Sequence, residues 1–95
     1  MTLLISNDDG VHADGIKVLF ETLSKAFDAQ VVAPDKDHSG ASSALTLKRP
    51  LSLTHLDNDF YSVDGSPADS VMLGLSLCTP KGAGNVFERV VSGIN

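Results

Sequence analysis

The feature that most limits the fold is the succession of strand, turn, helix and strand at the start of the chain. Thr2–Ser6 is a short apolar run bounded by Asn7-Asp8-Asp9-Gly10, a cluster of turn-forming residues. From Asp14 to Phe27, the apolar residues Ile16, Leu19, Phe20, Leu23 and Phe27 recur at helical spacing, with Asp14 placed to cap the first turn. Ala29–Ala33 then reads as a second buried strand, ended by Pro34. A helix between two strands carries the chain back to the end it started from, so the strands must run parallel. The expected unit is βαβ with a right-handed crossover.

Past this unit, Asp35–Ala44 is a polar loop rich in Ser and Gly. Leu51–Leu56 and Phe60–Val63 flank Asp57-Asn58-Asp59 and predict a hairpin. Ser66-Pro67-Ala68-Asp69 has the chemistry of a helix start: a capping Ser, Pro at the first helical position and an acid at the third. Val71, Met72, Leu75 and Cys78 are the expected buried face of that helix. Thr79–Asn85 reads as a loop and Glu88–Ser92 as a further strand. The pattern is one α/β domain over residues 1–95 with a small antiparallel insertion.

The formal charge of −5, with seven scattered Lys and Arg, argues against general binding to a nucleic-acid duplex, which needs clustered cations to neutralise phosphates. No apolar run approaches the roughly 20 residues of a membrane helix, and the N-terminus lacks the charged and apolar regions of a signal peptide. The single Cys78 cannot form an internal disulfide, which fits a cytoplasmic location. An acidic chain that handles phosphate needs something to offset charge, and a divalent cation would serve.

In an open parallel sheet, ligands bind outside the carboxyl ends of the strands. Those positions here are Asn7, Asp8, Asp9 and Gly10, then Asp35 to Gly40 with Ser39 among them, then Gly93, Ile94 and Asn95. The donors they offer are two carboxylates, a hydroxyl and an amide oxygen, which suit Mg²⁺, Mn²⁺ or Ca²⁺ rather than a thiolate zinc site. Read alone, Asp8-Asp9-Gly10 is as compatible with a plain polar turn as with a cation site. Ser39-Gly40-Ala41-Ser42-Ser43 offers backbone N–H groups and hydroxyls to an anion, although such a loop is more often a simple connection. Neither a Walker motif nor Gly-x-Gly-x-x-Gly is present. His12 and His38 flank these loops, with solvated loop histidines as the simpler reading. Asp69 is accounted for by capping, Cys78 by packing and Lys48-Arg49 by exposure.

Several motifs together carry a family resemblance. Leu3-Leu4-Ile5-Ser6-Asn7-Asp8-Asp9-Gly10, Val32-Ala33-Pro34-Asp35, Ser39-Gly40-Ala41-Ser42, Leu45-Thr46, Gly65-Ser66-Pro67-Ala68-Asp69 and Val91-Ser92-Gly93-Ile94-Asn95 resemble, in order, the survival protein SurE family. The resemblance implies a Rossmann-like three-layer α/β domain with a mainly parallel sheet and a small β-hairpin insertion. It implies a divalent-metal-dependent phosphatase acting on nucleoside 5′-monophosphates, often on 3′-monophosphates and in some members on short polyphosphate. By analogy the metal ligands are Asp8, Asp9, Ser39 and Asn95, holding one Mg²⁺ or Mn²⁺ per subunit. Asp8 and Asp9 are also the candidate catalytic groups, as general base or nucleophile, and Asn7, Gly40 and Ser42 are candidate phosphate contacts. Homodimers or tetramers are the family's assemblies. The chain departs from the family pattern at Asp14, where Pro is usual, and at Lys36 and His38, where Arg is common. Family members continue beyond the Ser-Gly-Ile-Asn motif, so the chain is expected to be the N-terminal portion of a longer protein. Two other readings are a non-catalytic metal- or nucleotide-binding fragment and a phosphoacceptor receiver domain. A receiver would need an acceptor Asp after its third strand and a Lys after its fifth, whereas Asp57, Asp59 and Asp64 fall in a hairpin context.

Overall fold

The computed structural model describes residues 2–37, 45, 49–77 and 87–92. Along the chain run β1 (Thr2–Ser6), α1 (Asp14–Ser24), β2 (Asp28–Pro34), β3 (Leu53–His55), β4 (Tyr61–Val63), α2 (Pro67–Leu77) and β5 (Arg89–Ser92). The strands form one sheet in the order β3-β4-β2-β1-β5. β1 pairs in parallel with β2 and with β5, and β2 in parallel with β4. Among the described residues only β3 is antiparallel, joined to β4 by the hairpin. The expected mainly parallel α/β sheet with a hairpin insertion is what the structure shows.

Alternation along β1 divides the core into two layers, because successive strand side chains point to opposite faces. On one face Ile5, Val31, Ala33 and Phe60 pack with Val11 and Ile16, and Leu19, Phe20 and Leu23 of α1 cover them. Phe20 meets Phe60 edge to face at 5.0 Å between ring centroids, a favoured aromatic geometry. On the other face Leu4, Val32 and Val63 pack under Val71 and Leu73 of α2. Both faces are thus covered by helices, which is why β1 and the end of β2 are buried throughout.

Three details differ from the sequence reading. α1 stops at Ser24 and its N-cap is Ala13, without a side-chain cap bond. Asp14 is instead the first helical residue, where a carboxylate favours the positive end of the helix dipole. The N–H groups of Ala26 and Phe27 turn back to the Leu23 carbonyl, ending the helix before Phe27, which is left partly exposed.

The third difference is the face that α2 buries. Met72 and Leu75 are exposed, Val71 is half-buried, and the residues fully covered are Asp69, Ser70 and Gly74. A β-carbon built on Gly74 would stand 3.0 Å from both δ-methyls of Leu4 and 3.2 Å from a γ-methyl of Val32. The helix therefore lies close on the sheet through small residues, and its bulkier ones are left at the flanks and outside. Cys78 and the expected loop Thr79–Asn85 lie outside the described residues. Among the described residues, no helix is long and apolar enough to cross a membrane.

The start of α2 follows its sequence signature closely. Ser66 Oγ accepts a hydrogen bond from the Asp69 amide at 3.1 Å, and Asp69 Oδ2 accepts one from the Ser66 amide at 2.8 Å. This reciprocal capping box satisfies two backbone donors that the helix itself cannot.

Candidate functional site

The four parallel strands, taken in chain order β1, β2, β4 and β5, lie side by side as third, second, first, fourth. The order reverses at β1: the chain first builds outward from β1 through β2 to β4, then crosses back to place β5 on β1's other edge. At such a switch point the loops leaving adjacent strands diverge to opposite faces and open a crevice at the carboxyl edge. The loop leaving β1 at this point is Asn7-Asp8-Asp9-Gly10. Ser6 is in register with Ser92, so the chain leaving β5 toward Asn95 starts beside the acidic turn.

The turn is held from within by Asn7. Its side-chain amide donates to the Gly10 carbonyl at 3.0 Å and its side-chain oxygen accepts from the Gly10 amide at 3.1 Å. Asn7 is buried, while Asp8 and Asp9 between the two clamped residues are partly exposed. One oxygen of Asp8, Oδ1, is buried. The geometry makes Asn7 the brace of the loop and presents two consecutive carboxylates at its crest.

Gly10 fastens this turn to the next loop. Its φ of +106° lies in a region that only glycine enters readily. A β-carbon there would also meet the backbone of Lys36, 3.1 Å from its carbonyl carbon and 3.2 Å from its oxygen. The Val11 amide donates to the Pro34 carbonyl at 2.7 Å, and the Asp35 amide to Val63 at 2.8 Å. The segment leading from β2 toward Ser39 therefore runs directly against the acidic turn. Ser39, Gly40, Ser42, Asn95 and His38 themselves lie outside the described residues. His12 is exposed beyond the turn.

The chemistry of the donors present fits a hard divalent cation: two adjacent carboxylates on a braced, partly buried turn, with room in sequence for a hydroxyl and an amide oxygen from the neighbouring loops. Among the described residues no group of three or more His, Cys, Asp or Glu side chains could hold a metal. The expected set does not require one, since only two of its four members are carboxylates.

One polar group at this edge was missed by motif reading. Ser6 closes the otherwise apolar β1, is 2% exposed, and its Oγ has no hydrogen-bond partner among the described residues. The available signal was a hydroxyl at the last position of a buried strand, directly before the acidic turn.

The strand order also disposes of the receiver-domain reading. Asp64 follows the third parallel strand, but β2 separates that strand from β1. Asp64 is engaged elsewhere: its Oδ1 accepts from the Ser52 amide at 2.7 Å, and Arg49 both pairs with its carboxylate at 3.5 Å and donates to its carbonyl. The His55 ring stacks on Tyr61 and lies 2.9 Å from Asp59, which bridges the hairpin.

Comparison with known proteins bears on the family and the fold. The family model described as Survival protein SurE matches residues 3–95. The protein named 5′-nucleotidase SurE from Marinobacter nauticus is 52% identical over 95 residues, covering 100% of this chain and 36% of the relative. The protein of the same name from Pseudomonas aeruginosa is 50% identical, again over 36% of its length. The crystal structure of the SurE protein from Aquifex aeolicus superposes with a TM-score of 0.85 at 41% identity, covering 100% of this chain and 38% of that one. The chain thus spans a little over a third of the length of the relatives it matches.

Proposed function

The chain belongs to the survival protein SurE family, and on that premise we propose that it forms the metal-binding portion of a divalent-metal-dependent phosphatase acting on nucleoside 5′-monophosphates. The observation that carries this reading is the braced Asp8-Asp9 turn at the β1/β5 switch point. Relatives named 5′-nucleotidase, 50–52% identical across the whole chain, support the substrate class. Because the chain covers 36% of such a relative, we also propose that it is the N-terminal part of a longer protein whose remaining segments complete the substrate pocket. Nucleoside 3′-monophosphates and short polyphosphate belong to the same proposal, as does a homodimeric or tetrameric assembly. The exposed Met72, Leu75 and Leu77 on α2 support further covering protein.

Asp8 and Asp9 would hold one Mg²⁺ or Mn²⁺, with Ser39 and Asn95 as the remaining ligands. A cation there supplies charge neutralisation at the phosphoryl oxygens and acidifies water. The chain's own residues supply the rest. Asn7 and Gly10 keep the two carboxylates from relaxing apart. A carboxylate oxygen of Asp8 or Asp9 within hydrogen-bond reach of an attacking water would accept its proton. Gly40 and Ser42, on a loop of small residues, would offer N–H and O–H donors to the phosphate. Asn7, with its amide oxygen and one amide hydrogen committed to Gly10, serves this step by bracing the turn.

The test is phosphate release from AMP and GMP by the full-length protein with Mn²⁺ or Mg²⁺, against an EDTA control. Hydrolysis is expected to depend on the metal, and Asp8→Asn to lower it at least about 100-fold, on the scale of losing one strong transition-state contact. Near-normal activity of Asp8→Asn, or equal rates in EDTA, would show the assignment to be wrong. The 95-residue piece assayed alone is expected to bind metal and hydrolyse little, as suits a chain that spans 36% of its relatives.

A further inference from the structure

Ser6 occupies a position where the rest of the strand is apolar. Leu3, Leu4 and Ile5 precede it, all essentially inaccessible, and Ser6 itself is 2% exposed. A buried hydroxyl without a partner loses its hydrogen bonds to water and gains nothing in exchange. An alanine would fill the same place without that loss. Buried polar groups left unsatisfied in a native fold call for a physical explanation, and a ligand-bound state is one of the few available.

Placement says which ligand state is relevant. Leu4 packs on the α2 side and Ile5 on the α1 side, so Ser6 shares the α2 side with Leu4 by alternation. It is in register with Ser92 across the β1/β5 boundary. It stands two residues before Asp8, whose Oδ1 is also buried. The hydroxyl therefore lies at the carboxyl edge of the sheet, at the root of the acidic turn and in register with the strand that leads toward Asn95. Carboxylates that ligate metals are themselves fixed by hydrogen bonds from surrounding groups, and loss of such a partner costs about 10- to 100-fold in metal affinity.

We infer that Ser6 is a positioning residue for the acidic turn, its O–H donating to the Asp8 carboxylate when the site holds a divalent cation. The inference rests on the metal-site reading proposed above. It assigns Ser6 no contact with the cation or with substrate. Its effect is to fix the orientation of the Asp8 carboxylate.

The experiment is thermal unfolding of the full-length protein and of its Ser6→Ala and Ser6→Thr variants, each in EDTA and across a Mn²⁺ titration. In EDTA, Ser6→Ala is expected to unfold at the wild-type temperature or slightly above it, since an unsatisfied hydroxyl has been removed. In Mn²⁺ its midpoint of metal-induced stabilisation should move to about 10-fold or more higher concentration. Ser6→Thr keeps the hydroxyl on a residue suited to strands and should restore most of the wild-type response. A lower unfolding temperature for Ser6→Ala in EDTA would show that the hydroxyl already has a structural partner, and would overturn the inference. So would an unchanged Mn²⁺ midpoint in Ser6→Ala beside a clear wild-type response, which leaves the metal site standing. Absence of any Mn²⁺ response in the wild type overturns both the inference and the metal-site reading beneath it.

Discussion

Replacing Gly10 with Ala perturbs a residue at which the acidic turn meets the segment after β2, and the structure gives its consequence in two parts. The first is conformational. At φ +106°, an L-residue sits beyond the ordinary left-handed well near about +57°, so the usual left-handed penalty of about 1–2 kcal/mol is a floor. The second is steric. The new β-carbon would stand 3.1 Å and 3.2 Å from the carbonyl carbon and oxygen of Lys36. Both are backbone atoms, and the hydrogen bonds Val11 to Pro34 and Asp35 to Val63 hold the backbone just before Lys36 in place. Relief requires the turn or the loop to shift by a few tenths of an ångström, a form of overpacking worth about 1 kcal/mol or more.

Together these give a loss of about 2–3 kcal/mol, which at about 2–4 °C per kcal/mol for a large domain lowers the melting temperature of the full-length protein by roughly 5–10 °C. The same displacement separates Asp8 and Asp9 from the segment leading to Ser39, so stabilisation by Mn²⁺ should shrink as well. Melting curves of wild type and Gly10→Ala by circular dichroism, with and without Mn²⁺, measure both effects. A Gly10→Ala protein that melts within about 1 °C of wild type and responds equally to Mn²⁺ would refute the strain and the coupling inferred from this contact.

Two other substitutions probe the framework away from the site. Ser66→Ala removes the Oγ that caps the Asp69 amide and should cost about 1 kcal/mol, read as a lower urea midpoint with an unchanged slope. Gly74→Ala gains about 1 kcal/mol of helix propensity but forces a methyl against Leu4 at 3.0 Å, an overpacking cost of about 1–3 kcal/mol. The expected balance is a net loss of stability with the Mn²⁺ midpoint unmoved. A more stable Gly74→Ala protein would mean that α2 rests less closely on the sheet than described.

What the sequence determined by itself was local. Apolar run and turn residues marked β1 from Thr2 to Ser6, the helical spacing of Ile16, Leu19, Phe20 and Leu23 marked the covering face of α1, and Ser66-Pro67-Ala68-Asp69 announced a capped helix start, where the structure adds the return bond from the Ser66 amide to Asp69. The acidic pair was legible for the same reason: a turn directly after a first parallel strand is set by neighbours in the chain. The ends of α1 and the buried face of α2 were not legible, because the sheet beneath decides them. Gly74 faces Leu4 and Val32, and Ser70 is buried, where hydrophobic periodicity favours Met72 and Leu75. Above all, only the tertiary structure placed β5 beside β1 and so put the reversal of strand order at the acidic turn. Parallel partners are chosen by contacts between residues far apart in sequence, such as Leu4 with Val90, and no local signal encodes which edge of β1 a returning strand will take.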